Sequence, residues 1–440
     1  MQGDIAVMLG RNAIKCPDNL CFWPKDNGSV RVPYLISSDY TPSEMDVILQ
    51  AMKEFSTLTC VKFVNRTLQT DYLYFTPVDG CWSYLGRTGG QQIVSLNKDG
   101  CLISGVIQHE VNHALGFQHE QCRSDRDQYI KIHWENLDSA NQYNFMKMDT
   151  NNLGIPYDYS SVMHYGRYAF TNATGKATIE LLKDTNALIG QRYGISPTDV
   201  LRINRLYSCA DVCSSLFTEE EGTVTSANTS QYNHHSNCVF LIRVPARKVL
   251  LNFETFDIRR SAGCGSDYIK IYDGDSKDSP VLVNKTCGTD HIPALFSSSN
   301  KMLIEFASDG TTSTFRAKYK TVACGVTITA MKGEFTSLNY PGIYPNNYDC
   351  TWVLSAPKGY KISVMVPSFH LENSPACVYD YMTIQEVTQS DPIVTRKLCG
   401  DAPVPAFVSS GNMVEIYIHT DRSVQSSGVR VQYEFVPLQA

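Results

Sequence analysis

His109-Glu110-Val111-Asn112-His113-Ala114-Leu115-Gly116-Phe117-Gln118-His119-Glu120 is the stretch on which the reading of this chain turns. His109 and His113 are four residues apart, so a helix presents both imidazoles on one face, and Glu110 projects close by. Ile107, Val111, Ala114 and Leu115 fall on the face away from the histidines and can pack into a core. Gly116 then stops the helix, because it takes the left-handed conformation that reverses the chain and lets His119 swing back as a third nitrogen ligand. Three neutral imidazoles leave the fourth position of a tetrahedral zinc open, as a catalytic rather than a structural site requires. Glu110 is then the group that takes a proton as water attacks a carbonyl. A lone histidine is usually a surface or core imidazole with no metal; three histidines, a glutamate and a glycine in register are not.

These residues form the metzincin pattern HExxHxxGxxH, and the continuation HALGFQHEQ resembles the astacin family of zinc endopeptidases. The resemblance implies an α+β metzincin catalytic domain with two lobes around a zinc cleft. Further along, Ser161-Val162-Met163-His164-Tyr165-Gly166 is similar to the Met-turn of that family. It implies that Met163 forms an apolar floor under the metal. It also implies that Tyr165 is an additional zinc ligand, which swings away to hydrogen-bond the tetrahedral intermediate. Residues 1–11 resemble the tail of an astacin propeptide, whose Gly-Asp-Ile segment supplies an aspartate, here Asp4, to the zinc and so excludes water. A cut after Arg11 would release that block, and the new start, Asn12-Ala13-Ile14-Lys15-Cys16, is similar to the hatching-enzyme branch. In astacins the new amino terminus is buried near the acid after the third histidine, here Glu120.

Composition narrows the class of protein. With 440 residues, the chain has room for two to four domains, and a hydrophobic fraction of 43% is enough for proper cores. The 38 basic and 44 acidic residues form no strong block of either sign, so a nucleic-acid or polybasic membrane role has no support. No apolar run approaches the length of a membrane span. Fifteen cysteines spread over the whole length point to an oxidising compartment and hence to secretion. Asn-x-Ser/Thr triplets at Asn27, Asn65, Asn172, Asn228 and Asn284 are compatible with glycosylation there. Met1 is not followed by a charged and then apolar segment, so the chain is expected to be part of a longer precursor.

Strand-like runs at 30–36, 61–65, 72–76 and 93–96 surround one clear helix. Thr41-Pro42-Ser43-Glu44 is a capping box with proline at the first helical position, and Met45, Ile48, Leu49, Met52 and Phe55 recur at helical spacing. Cys16 and Cys21 are close enough to close a small loop. By resemblance, the edge strand at 81–85 pairs with an extended substrate backbone, Cys60 joins Cys209, and Cys81 joins Cys101. Cys122 has no evident partner; it pairs between chains or stays free and buried.

From Cys213 the composition turns to alternating apolar residues and Ser-rich turns, and a repeat appears. Cys213, Cys238, Cys264 and Cys287 are spaced like Cys324, Cys350, Cys377 and Cys399, and Ser266-Asp267-Tyr268-Ile269 mirrors Tyr379-Asp380-Tyr381-Met382. Both copies resemble CUB domains, all-β sandwiches with two disulfides each. Pairing by repeat joins Cys213 to Cys238, Cys264 to Cys287, Cys324 to Cys350 and Cys377 to Cys399. The expected organisation is a propeptide remnant at 1–11, the catalytic domain at 12–210, and CUB domains at 213–322 and 324–436. Many CUB domains hold calcium with three carboxylates, which are the hard oxygen ligands this cation needs. The second copy keeps Glu372, Asp380 and Asp421; in the first, Asp267 and Asp309 match but Arg259 stands in the glutamate's place. Calcium is therefore expected in the second copy only.

The sequence leads to a secreted zinc endopeptidase acting on extracellular matrix or egg-envelope proteins, most like the vertebrate hatching enzymes, with the CUB pair contacting substrate or partner. The lack of an EGF-like module between the CUB copies argues against the procollagen-processing branch. The rival is an extracellular binding protein in which the CUB pair does the work on a latent or inactive protease scaffold; intact ligands, base and Tyr165 count against it.

Overall fold

Thr41 opens the first helix, α1 (Pro42–Leu58), with the expected reciprocal cap: its N–H donates to Glu44 Oε2 at 2.7 Å and its Oγ1 accepts from the Glu44 N–H at 3.3 Å. One face of α1 buries Ile48, Met52, Phe55 and Leu58. Side chains of this size contribute about 1.5–3 kcal/mol each when fully buried, enough to dock a helix that would be marginal alone. The structure, a computed structural model, describes residues 4–6, 20–229, 236–245, 247–309, 313–387 and 397–438. The expected cut after Arg11, the new terminus at Asn12, Cys16, and the side chain of Asn228 lie outside the described residues. Asn27, Asn65, Asn172 and Asn284 are exposed. No helix among the described residues is long and apolar enough to cross a membrane. The chain falls into two compact units that part near residue 218.

The first unit is built on a twisted sheet of strands β1 (Ile5–Ala6), β2 (Lys25–Asp26), β3 (Ser29–Ile36), β4 (Val61–Asn65), β5 (Tyr72–Thr76), β6 (Cys81–Tyr84) and β7 (Gln91–Leu96). Its order is β1-β6-β7-β5-β3-β2, with β4 also paired to β3. β3, β4, β5 and β7 run parallel and β6 antiparallel to β7, so β6 is the outermost strand of the main body. The two residues of β1 then add to it in parallel, Ile5 opposite Ser83 and Ala6 opposite Tyr84. Helix α1 backs this sheet and meets α2 (Ser104–Ala114), where the Gln108 amide donates to Ala51 O at 3.1 Å and Glu54 Oε2 at 3.1 Å. Below α2 the chain is mostly irregular, gathered round a core that includes Ile130, Phe145, Tyr157, Tyr165 and Ile179.

A third helix, α3 (Pro197–Leu206), is one the sequence reading does not anticipate, although Ser196-Pro197-Thr198-Asp199 carries the same capping-box signature as α1. Disulfides join Cys60 to Cys209 across 149 residues and Cys81 to Cys101. Cys122 is a free, buried thiol whose Sγ lies 3.2 Å from Asn144 O.

The second unit holds two sandwiches in tandem. In the first, Ser236–Arg243, Lys301–Ser308, Tyr268–Tyr272 and Val281–Thr286 pair in that order, facing a sheet of Glu221–Thr225, Thr314–Val322, Lys248–Asp257 and Leu295–Phe296. Period-two burial is plain along Thr314–Val322, where Phe315, Ala317 and Tyr319 point inward and Arg316 and Lys318 outward. The second copy repeats the plan around Trp352, Ile362, Ile416 and Val431. Cys264–Cys287, Cys324–Cys350 and Cys377–Cys399 pair as the repeat predicts, and Cys213 and Cys238 are each disulfide-bonded. Leu250 and Phe296 of the first copy pack against Val353 and Met413 of the second. Gly325 is needed at this seam, because a Cβ there would lie 2.1 Å from the Phe296 ring.

Candidate active site

Helix α2 ends where the sequence requires. Gly116 takes φ +107°, and the reversal returns His119 to the open side of His109 and His113. His113 Nε2 lies 3.1 Å from His109 Nε2 and 3.2 Å from His119 Nε2. The rings are held from behind: His109 Nδ1 meets Val162 O at 2.8 Å and His113 Nδ1 meets Phe117 O at 2.7 Å. A ring that donates through Nδ1 presents a bare lone pair at Nε2, the form that binds a metal. Burial favours that neutral form, lowering His119 and pushing His109 down to about 3.

Asp4 completes the cluster. Its Oδ2 stands 3.0 Å from His109 Nε2 and its Oδ1 2.8 Å from His119 Nε2 and 3.6 Å from His113 Nε2. Oδ1 is buried and has no hydrogen-bond donor among the described residues. Three nitrogen lone pairs and a carboxylate gathered at one point form a donor set that a cation between them would satisfy. The spacing suits zinc, since three nitrogens about 2.0–2.1 Å from a tetrahedral zinc stand roughly 3.3 Å apart. The donor set therefore fits the metal that the motif implies.

Glu110 is 1% exposed and its Oε2 has no hydrogen-bond partner among the described residues. Burial and then the Asp4 charge raise its pKa well above the carboxylate range, against the opposing pull of Arg192. Tyr165 is also enclosed: its ring lies 4.5 Å from His119 and 5.6 Å from both Phe145 and Phe170, and its buried hydroxyl has no hydrogen-bond partner among the described residues. Met163 is buried beside the same turn, and its carbonyl accepts from the Glu120 N–H at 3.0 Å.

The residues that brace the site were not singled out from sequence. Asp199, in the first turn of α3, accepts from Ser161 Oγ at 2.6 Å and the Val162 N–H at 2.9 Å, while the Ser161 hydroxyl receives the Met163 N–H at 3.1 Å. One capping residue thus fixes both a helix start and the turn under the histidines. Glu120 is held by Arg202 through two bonds of 2.7 Å, by Arg123 at 3.3 Å and by the Asp158 N–H at 2.8 Å. Glu120 and Arg202 line a cavity of about 900 Å³, together with Trp23, Asn112, Gln118 and Tyr207. Arg192 donates to His164 O at 3.1 Å and Gln191 O at 2.9 Å, and so fixes a half-buried positive charge near Glu110.

In the second sandwich, Glu372, Asp380 and Asp421 converge, with one oxygen of each within 4.8 Å of the others. Asp380 is satisfied by the Tyr344 hydroxyl at 2.6 Å and the Asp421 N–H at 2.8 Å, but Glu372 Oε2 is buried with no partner among the described residues.

A buried glutamate beside three convergent imidazoles, on a helix under a mixed sheet, defines a metallopeptidase. Comparison with known proteins gives the family: the profile of the Astacin peptidase family matches residues 19–208, and that of the CUB domain matches 213–319 and 324–433. The chain belongs to the astacin family and is a zinc metalloendopeptidase carrying two CUB domains. It is 46% identical to embryonic protein UVS.2 of Xenopus laevis over 440 residues, 99% of this chain and 84% of that one. It is 50% identical to the astacin-like metalloendopeptidase of Coturnix japonica, over 72% of this chain and 78% of that protein. High choriolytic enzyme 1 of Oryzias latipes is 53% identical over 210 residues, 48% of this chain and 78% of that enzyme.

Proposed function

We propose that the chain is a secreted, latent endopeptidase of extracellular proteins, with the egg envelope as its substrate, and that His109, His113 and His119 hold the catalytic zinc. The observation that carries the site assignment is the set of Nε2 separations of 3.1 and 3.2 Å facing the Asp4 carboxylate. Bound zinc supplies a Lewis acid for the scissile carbonyl and lowers the pKa of a water. Glu110, buried beside the three histidines, would accept the water's proton as its oxygen adds to the carbonyl carbon. Glu110 then returns that proton to the amine as the carbon–nitrogen bond breaks. The Tyr165 hydroxyl, with no other partner, donates to the oxyanion. Asp4 blocks this chemistry in the uncut chain, and its strand β1 occupies the β6 edge on which a substrate backbone would pair.

Cutting after Arg11 removes β1 and frees an amino terminus at Asn12, for which the cavity beside Glu120 is the receiving site. The CUB pair contacts substrate or partner, with calcium held by Glu372, Asp380 and Asp421. The names of the choriolytic and embryonic relatives support the egg-envelope reading. The test is cleavage of isolated egg-envelope protein and of denatured casein by trypsin-treated chain, with and without a zinc chelator. Chelator-sensitive cleavage of both is expected; cleavage of casein alone refutes the envelope substrate, and cleavage of neither refutes the site.

A further inference from the structure

The two CUB copies place opposite charges at one equivalent point. Arg259 precedes Cys264 by five residues and Asp267 by eight, as Glu372 precedes Cys377 and Asp380. In the second copy this position completes three carboxylates, and Glu372 Oε2 has no hydrogen-bond partner among the described residues. In the first copy the Arg259 guanidinium donates from Nη2 to Asp267 Oδ1 at 2.9 Å and also to Asp309 Oδ1. Asp267, fully buried, is otherwise satisfied by the Ser313 hydroxyl, by Ser308 Oγ at 3.3 Å and by the Asp309 N–H at 3.3 Å. The Arg259 N–H in turn donates to Ser313 Oγ at 3.0 Å, so one residue ties the strand end at 257–259 to both acidic loops through side chain and backbone. A guanidinium that donates to two carboxylates meets the same electrostatic need that a divalent ion meets among three.

We propose that Arg259 is a permanent internal cation, so that the acidic loops of the first CUB copy close without metal, while those of the second close only on calcium. This rests on the calcium reading of the second copy. Removal of calcium then loosens the loop face of one module and leaves its neighbour intact, so a partner bound through the second copy is calcium-gated and one bound through the first is not. The arginine and the glutamate are alternative solutions of one geometry, and exchanging them exchanges the metal requirement.

The experiment counts calcium bound by the full chain after equilibrium dialysis, by elemental analysis, for wild type, R259E, R259Q and E372R, with hydrogen exchange of the two loop sets in calcium and in chelator. One equivalent is expected for wild type and R259Q, two for R259E and none for E372R. In wild type, chelator should raise exchange around 372–380 and 421 at least about tenfold and leave 259–267 and 309 unchanged. R259E that holds only one equivalent, or wild-type loops at 259–267 that open in chelator, overturns the proposal. The exchange measurement decides the matter on wild type alone if R259E does not fold. Wild type with no calcium, but with loops at 259–267 closed in chelator and one equivalent in R259E, refutes only the second-copy site and leaves the arginine's role standing.

Discussion

Asp4 Oδ2 lies 3.0 Å from His109 Nε2, although the two residues are 105 positions apart in the chain. The contact depends on the short parallel pairing of β1 with β6, in which the Asp4 carbonyl accepts from the Ser83 N–H at 3.0 Å. If this carboxylate is the block, D4A should hydrolyse a peptide substrate without being cut, whereas the intact wild-type chain should not. The check is a fluorogenic peptide assay on protein whose unprocessed mass is verified. Equal latency of both chains would assign the block to β1 alone.

Glu110 is buried beside the histidines, and its Oε2 has no hydrogen-bond partner among the described residues. E110Q should therefore keep zinc at the wild-type stoichiometry and lose about 10²–10⁴-fold in kcat, the range for a general base. Metal analysis paired with kcat on the activated protein checks this. Loss of zinc along with activity would show that Glu110 is structural.

The Tyr165 hydroxyl has no hydrogen-bond partner among the described residues, so removing it leaves none of them unsatisfied. Y165F should fold and melt as wild type does, within about 0.5 kcal/mol. It should lose roughly 10²-fold in kcat with KM little changed, as expected for a donor engaged only in the transition state. A raised KM at constant kcat would make Tyr165 a substrate-binding residue instead.

Glu120 is 3% exposed and shares two bonds with the guanidinium of Arg202, itself 7% exposed. E120A removes both short bonds from the buried Arg202 cation and leaves it the longer contact to Asp199 Oδ1 at 3.6 Å and the Pro156 carbonyl at 3.1 Å, a loss of about 3 kcal/mol. For a catalytic unit of this size the melting temperature should fall by roughly 10 °C, read by calorimetry. A fall of under about 2 °C would mean that water reaches Arg202 through the adjoining cavity.

The histidine pair was legible because a helix converts a spacing of four into proximity, and Gly116 announces the turn that recovers His119. The strand runs and α1 were legible for the same local reason, although the last strand of the main sheet begins at Gln91, two residues before its apolar run. Asp199 and Arg202 were not, because their partners Ser161 and Glu120 are 38 and 82 residues away. Their own helix was passed over despite its capping box because its apolar face is short: only Val200 and Ile203 of its hydrophobic residues are buried. The acidic triad of the second CUB copy was legible only through the resemblance to CUB domains that hold calcium with three carboxylates, because its members are far apart in the chain. That the first copy's arginine bridges both aspartates, rather than turning to solvent, is a matter of side-chain direction that spacing does not carry.

Cys122 gives each molecule a latent reporter of its own integrity. Burial pushes this thiol up to about 12, so in the closed state it is neither a nucleophile nor within reach of alkylating reagents. It lies three positions beyond His119, so any fluctuation that admits a reagent there has already disturbed the ground on which the metal centre stands. Labelling of this one sulfur therefore measures how often the catalytic unit breathes, molecule by molecule, without touching the chemistry it guards.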